Sequence, residues 1–212
     1  MKIRILDSHE KNVIDALTNI HINTFQGFFL TFMGRGFLKQ MYSAYAEHKE
    51  SGVLVAEQDG QVCGFLAWSG NMSGLYKHML RTRVIPFAWF SIGAFVRRPK
   101  AFFHIVRAFL KPSESRRNDE YIELSSIGVD PKWKKHGIGS MLIDNLKELV
   151  DFEKYAYITL ETDAINNDAA ILFYEKNEFV RFRFYSTPEG REMIEFRYTD
   201  NCMNNRQIKE IR

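Results

Sequence analysis

Residues 126–143 read SIGVDPKWKKHGIGSMLI, and the organisation of the chain is worked out from this stretch. Residues Tyr121 to Val129 alternate as a β-strand does, and Asp130-Pro131 ends the alternation. Met141, Leu142, Leu146 and Leu149 then recur on one side of a helix. The glycine-bearing turn between them, Lys134 to Gly139, makes an anion site with the helix that follows. The first amides of a helix have no acceptor within it and carry the positive end of its dipole. Gly137 and Gly139 let a phosphate come close to the backbone, so a pyrophosphate fits there without side-chain ligands. A Walker loop would close on Gly-Lys-Ser/Thr, and a dinucleotide fingerprint would need a third glycine where Leu142 stands, so both are excluded.

Upstream, Lys2 to Leu6 reads as a short strand, and Ser8 precedes a helical face of Val13, Ala16, Leu17, Ile20 and Phe25. Phe37, Met41, Tyr42 and Tyr45 have helical spacing. Val53 to Ala56 and Val62 to Trp68 read as strands joined by an Asp59-Gly60 hairpin turn. Downstream, Tyr155 to Leu160 is a strand and Asn167 to Lys176 a helix. Phe179 to Tyr185 and Met193 to Tyr198 are closing strands around Pro188-Glu189-Gly190. This order predicts an α/β (α+β) fold, as one domain over 1–199 with a helical insertion at about 74–117 and a polar tail over 200–212.

Composition limits the function. At 212 residues, 45% hydrophobic and 26% charged, the chain can build a real core. A formal net charge of +3 is too mild for a dedicated nucleic-acid binder. Cys63 and Cys202 lie far apart with no ligand spacing, which predicts neither a disulfide framework nor a zinc site. Met1 to Lys11 lacks the apolar core of a signal peptide, so the expected location is the cytoplasm. In the insertion, aromatics alternate with arginines and lysines, and Glu114 is its only acid. Its uncharged run, Val84 to Val96, is shorter than the roughly 20 residues of a membrane span and contains Pro86 and Gly93.

The turn resembles the acyl-CoA site of the GNAT superfamily, Arg/Gln-x-x-Gly-x-Gly/Ala, with Lys134 in the first position. A second match follows: Asn167, Ala170, Phe173, Tyr174, Lys176 and Phe179 fit the family's helix-to-strand segment, with Glu178 where a glycine is usual. The resemblance implies a GNAT fold, a mostly antiparallel central sheet flanked by helices, and an N-acetyltransferase that takes acetyl-CoA as co-substrate. By the same resemblance, the backbone of Ile127 polarises the thioester carbonyl and that of Val129 pairs with pantetheine. Lys135, Gly137, Gly139 and Ser140 then supply pyrophosphate amides, with Lys134 and His136 adding nearby charge. Asn167 caps the helix and bonds the pantetheine or a site water, although capping alone would account for an asparagine there. Glu123, eleven residues before Lys134, stands at the general-base position, and a surface strand glutamate is the competing reading. Tyr174 stands where family members protonate the CoA sulfur, although a core tyrosine would look the same. Glu161 and Asp163 either line the acceptor amine or form a solvated strand end.

The resemblance assigns the acceptor side to His21 to Phe32 and to the insertion. Residues 22–42, INTFQGFFLTFMGRGFLKQMY, are similar to bacterial GNAT proteins linked to surface-polysaccharide synthesis. Arginines among aromatics suit a small-molecule amine such as a nucleotide-activated amino sugar. A protein or peptide amine, and a non-catalytic CoA-binding sensor or scaffold, stay open as alternatives. For the insertion itself, peripheral membrane contact, a homodimer interface and a plain helical hairpin all stay open.

Overall fold

A computed structural model describes residues 1–97, 120–188 and 190–200. Seven strands form one sheet: β1 (Lys2–Ile5), β2 (Ser51–Gln58), β3 (Gln61–Ser69), β4 (Tyr121–Val129), β5 (Tyr157–Asp163), β6 (Val180–Ser186) and β7 (Glu192–Tyr198). Their spatial order is β1-β2-β3-β4-β5-β7-β6. Every pairing is antiparallel except β4 with β5, which is parallel. The expected mixed, mostly antiparallel sheet is therefore what forms. Between β2 and β3 the two-residue turn has φ of 52° at Asp59 and 76° at Gly60, the left-handed pair that matches the twist of a tight hairpin.

Helices cover both faces. α1 (Lys11–Thr24), α2 (Phe29–Met33) and α3 (Arg35–Glu47) precede β2; α4 (Met72–Arg97) follows β3; α5 (Ile138–Leu149) and α6 (Asp168–Lys176) flank β5. Alternation along β2 sorts the two cores. Leu54 and Ala56 meet Ile138, Leu142, Ile143 and Leu146 of α5, while Val53 and Val55 meet Leu17 of α1 and Leu38 and Tyr42 of α3. Burying each such leucine contributes roughly 1.5–3 kcal/mol.

Local chemistry sets the element ends. α1 begins at Lys11 and not directly after Ser8, because Glu10 accepts the Asp7 amide at 3.0 Å and pairs with Arg4 at 2.7 Å, which fixes the chain before the first turn. Asn71 accepts the Gly74 amide at 2.8 Å and so opens α4. That helix kinks at Arg83 (φ −136°, ψ 17°), three residues before Pro86, whose ring cannot donate and crowds the preceding turn. Of the segment 74–117 the structure describes the part to Arg97, all within α4; residues 98–119 and 201–212 lie outside the described residues.

One irregularity positions the site. Ser126 of β4 pairs with Ala67 and Leu124 pairs with Trp68, which leaves Ser125 as an extra residue. The bulge bends β4, and its pairing with β5 stops at Glu123↔Thr159. Beyond that point the two strands diverge.

Candidate active site

The wedge between β4 and β5 opens a cleft of about 990 Å³. One wall carries Thr24, Phe25, Phe28 and Leu30; the floor is the β4 segment from Leu124 to Ile127 with Val129; the far wall is the turn before α5, the end of β5 and the cleft-facing residues of α6. β4 has lost its neighbour along the floor, so its backbone groups are available to an extended ligand in the way a sheet edge is.

The turn is built for an anion. A single 3-10 turn, Pro131–Trp133, is capped by Asp130, whose side chain accepts the Lys132 amide. Lys135 then takes φ 66° and Gly137 φ 75°, left-handed conformations on either side of His136. Such a run aims successive amides into one concavity. At Lys135, which has a Cβ, the conformation costs about 1–2 kcal/mol, strain of a kind that collects at functional sites. Gly137 is the N-cap of α5 and no side chain caps it, so the amides of Ile138, Gly139 and Ser140 have no partner within the helix. Gly139 has a packing reason as well: a Cβ there would stand 2.9 Å from Cζ of Phe173. Lys134 and Lys135 belong to the same turn, and Lys176 of α6 lines the cleft with them. The residues fit an acyl-CoA diphosphate: unpaired main-chain donors, positive side chains and a floor of open strand.

Most of the sequence-derived residues come together. Ile127, Val129, Lys134, Lys135, Gly137, Gly139, Ser140, Asn167 and Tyr174 all line the cleft. His136 is not among the lining residues; its Nδ1 lies 2.9 Å from the Lys134 carbonyl and 3.2 Å from that of Trp133, so it carries the proton and ties the turn together. Asn167 sits at the N-cap of α6 without capping it. Its amide instead donates to Thr162 Oγ1 at 2.7 Å and to the Asp163 carbonyl at 3.1 Å, holding the end of β5 against α6.

Tyr174 and Glu123 face different layers. Tyr174 packs edge-on against Phe173 and Phe179, and among the described residues its hydroxyl has no hydrogen-bond partner. Burial pushes that hydroxyl up to about 12, so it holds its proton across the physiological range. Glu123 precedes the bulge and is not among the cleft-lining residues. Its charge is felt instead by the hydroxyls of Tyr45 and Tyr76, on the α3 and α4 side. Glu161 and Asp163 do line the cleft, and both are engaged: Tyr185 donates to Glu161 at 2.5 Å and Arg191 pairs with Asp163 at 2.7 Å.

Sequence reasoning passed over His21, Thr24 and Phe25 as individuals, and also Lys176 and Arg191, all of which line the cleft. For His21 a signal existed, since it continues the buried stripe of Ile14, Leu17 and Thr18 at helical spacing.

A family model described as "Acetyltransferase (GNAT) family" matches residues 14–179. The chain belongs to the GNAT acetyltransferase family. GNAT acetyltransferases take acetyl-CoA as acyl donor, which is the ligand the cleft fits. Among curated GNAT relatives, [Ribosomal protein bS18]-alanine N-acetyltransferase of Escherichia coli (strain K12) is 36% identical over 73 residues, 32% of this chain and 49% of the relative. N-alpha-acetyltransferase 60 of Danio rerio is 39% identical over 64 residues, 28% of this chain and 25% of the relative. These matches span about half or less of the relatives' length. Among solved GNAT structures, a family member from Desulfovibrio desulfuricans aligns over 93% of this chain and 98% of its own, with TM-score 0.59 and 12% identity. The ribosomal-protein-S18-alanine N-acetyltransferase structure from Escherichia coli covers 93% and 92%, with TM-score 0.53 and 17% identity. The structural likeness concerns the fold. Among the described residues, no helix is long and apolar enough to cross a membrane.

Proposed function

We propose that this chain transfers an acetyl group from acetyl-CoA to a primary amine. The observation that carries the proposal is the wedge: uncapped amides of α5 at one end, open β4 backbone along the floor and the protonated Tyr174 hydroxyl within it. In this reading Ile138, Gly139 and Ser140 amides, with Lys134, Lys135 and Lys176, hold the diphosphate. Ile127 and Val129 offer backbone groups to the thioester and the pantetheine arm, and Asn167 fixes the rim. The amine nitrogen bonds to the acyl carbon as the carbon–sulfur bond breaks. Tyr174 gives its proton to the departing sulfur, and Glu123 takes the ammonium proton through water, since it stands beyond the cleft lining.

The acceptor side favours an amine next to an apolar group. Phe25, Phe28 and Leu30 form one wall, and the polar end of β5, with Glu161 and Asp163 held by Tyr185 and Arg191, faces them. A peptide N-terminus meets that description, and two curated relatives are named for N-terminal or alanine acetylation. A nucleotide-activated amino sugar is the second reading, favoured by the run of arginines and aromatics from Arg81 to Lys111.

Acetyl-CoA turnover should be measured against an alanyl tetrapeptide, a uridine-diphosphate amino sugar and spermidine, with the Glu123→Gln/Tyr174→Phe double variant alongside. The expected result is turnover of at least one amine by the parent. In the double variant, the rate should fall by about 10²-fold or more while acetyl-CoA binding is unchanged. Full activity in the double variant would remove both assignments.

A further inference from the structure

His21 is a polar side chain in an apolar place. It is 3% exposed on the buried stripe of α1, yet it lines the cleft. Phe25 and Phe65 clamp its ring at centroid distances of 4.7 and 6.3 Å. Its Nδ1 lies 2.6 Å from the Tyr42 hydroxyl. Tyr42 is fully buried. The other ring nitrogen, Nε2, is buried with no partner among the described residues.

A buried polar nitrogen left unpaired costs about 1–3 kcal/mol, and phenylalanine or leucine would fill the same space without that cost. The direction of the network decides what Nε2 offers. Burial keeps the Tyr42 phenol protonated. With the protonated Tyr42 phenol donating to Nδ1 across that 2.6 Å contact, the imidazole carries its own hydrogen on Nε2. Burial also drives the His21 pKa down to about 4, so the ring stays neutral at pH 7 and is no reservoir for an ammonium proton. Its position separates it from the donor. His21 belongs to the α1 and α3 layer with Phe25, whereas the α5 turn and Tyr174 belong to the other layer.

We propose that His21 is a substrate-binding residue that selects the acceptor, its Nε2–H donating a hydrogen bond to a carbonyl or hydroxyl oxygen borne by the amine substrate. Tyr42 is then a positioning residue that fixes the tautomer. The inference rests on the reading of the cleft as an amine acetyltransferase site. It further narrows the acceptor to amines that carry an oxygen close by, as a peptide N-terminus and an amino sugar both do and an alkyl polyamine does not.

The test compares His21→Leu and His21→Gln with the parent, using an alanyl tetrapeptide, a uridine-diphosphate amino sugar and spermidine as acceptors. Acetyl-CoA titration of each variant comes first and should show an unchanged Kd. For whichever oxygen-bearing amine the parent acetylates, His21→Leu should raise KM by about tenfold to a hundredfold, with kcat within about threefold. His21→Gln, which keeps an N–H donor, should recover part of the loss, and any spermidine KM should not move. Imidazole nitrogen NMR of the parent should show the hydrogen on Nε2, and its signal should shift when that amine is added. An unchanged KM in His21→Leu, or a hydrogen on Nδ1, overturns this inference and leaves the enzyme reading standing. A parent that binds acetyl-CoA and acetylates none of the three amines overturns both.

Discussion

At the scale of single residues, Glu178 shows how the chain solves a turn that resembles one usually made by glycine. Its φ is 67°, in the left-handed region, and its carboxylate pairs with Lys147 at 2.7 Å. A β-branched side chain has no comfortable rotamer there. Glu178→Val should therefore destabilise the fold by about 1–2 kcal/mol in urea unfolding, and a variant as stable as the parent would contradict the strain argument. His21 ties stability to pH. Its folded pKa is lowered by burial to about 4, below an unfolded value near 6.5. The unfolded chain therefore binds a proton that the native chain refuses. Stability is fully present above about pH 6.5 and falls as pH drops toward 4, by up to about 3 kcal/mol. His21→Leu should lack that part of the acid loss, and parallel pH profiles of unfolding free energy in parent and variant would refute it.

At the scale of elements, what could be read from the sequence depended on whether the signal was local. The Asp59-Gly60 hairpin and the alternation of Tyr121 to Val129 announced themselves, because turn dipeptides and period-two patterns need only neighbouring residues. β5 begins two residues later than its hydrophobic run, at Tyr157, since Tyr155 is buried against the core ahead of the strand. The bulge at Ser125 could not be read at all. It switches the parity of β4, so Leu124 faces the α5 core before it and Ile127 and Val129 pack toward that same core after it. Strict alternation would keep Glu123 in line with Ile127, and the bulge puts it on the other face. His21 was equally hidden, because its meaning depends on Tyr42, on a different helix. α5 supplies one of the two cores with its longest row of fully buried side chains. Leu142 is fully buried in it, and Leu142→Ala should cost about 2–5 kcal/mol in chemical denaturation; a loss under 1 kcal/mol would mean that the helix is not what holds the turn.

At the scale of the whole molecule, the sheet is joined at its middle by few residues. β4 and β5 share only three paired positions, Tyr121 to Glu123 with Tyr157 to Thr159, and the cleft begins where they end. A ligand that touches β4, α5 and α6 together bridges the two sides. Acetyl-CoA at a hundred times its Kd should add about 2.7 kcal/mol to the unfolding free energy. Amide exchange should slow most along β4 beyond Ser125 and at the first turn of α5. Equal slowing over β1 and β2 would mean that the ligand sits elsewhere. The main-chain character of the anion turn reaches further than one ligand. Amides belong to every residue but proline, so a site made from them has few side chains to lose. Replacement of the surrounding side chains can then proceed a long way before the grip on the donor fails. Histidine and aromatic side chains on the opposite wall, which do depend on identity, are free to be exchanged for a new acceptor while the donor site is inherited unchanged.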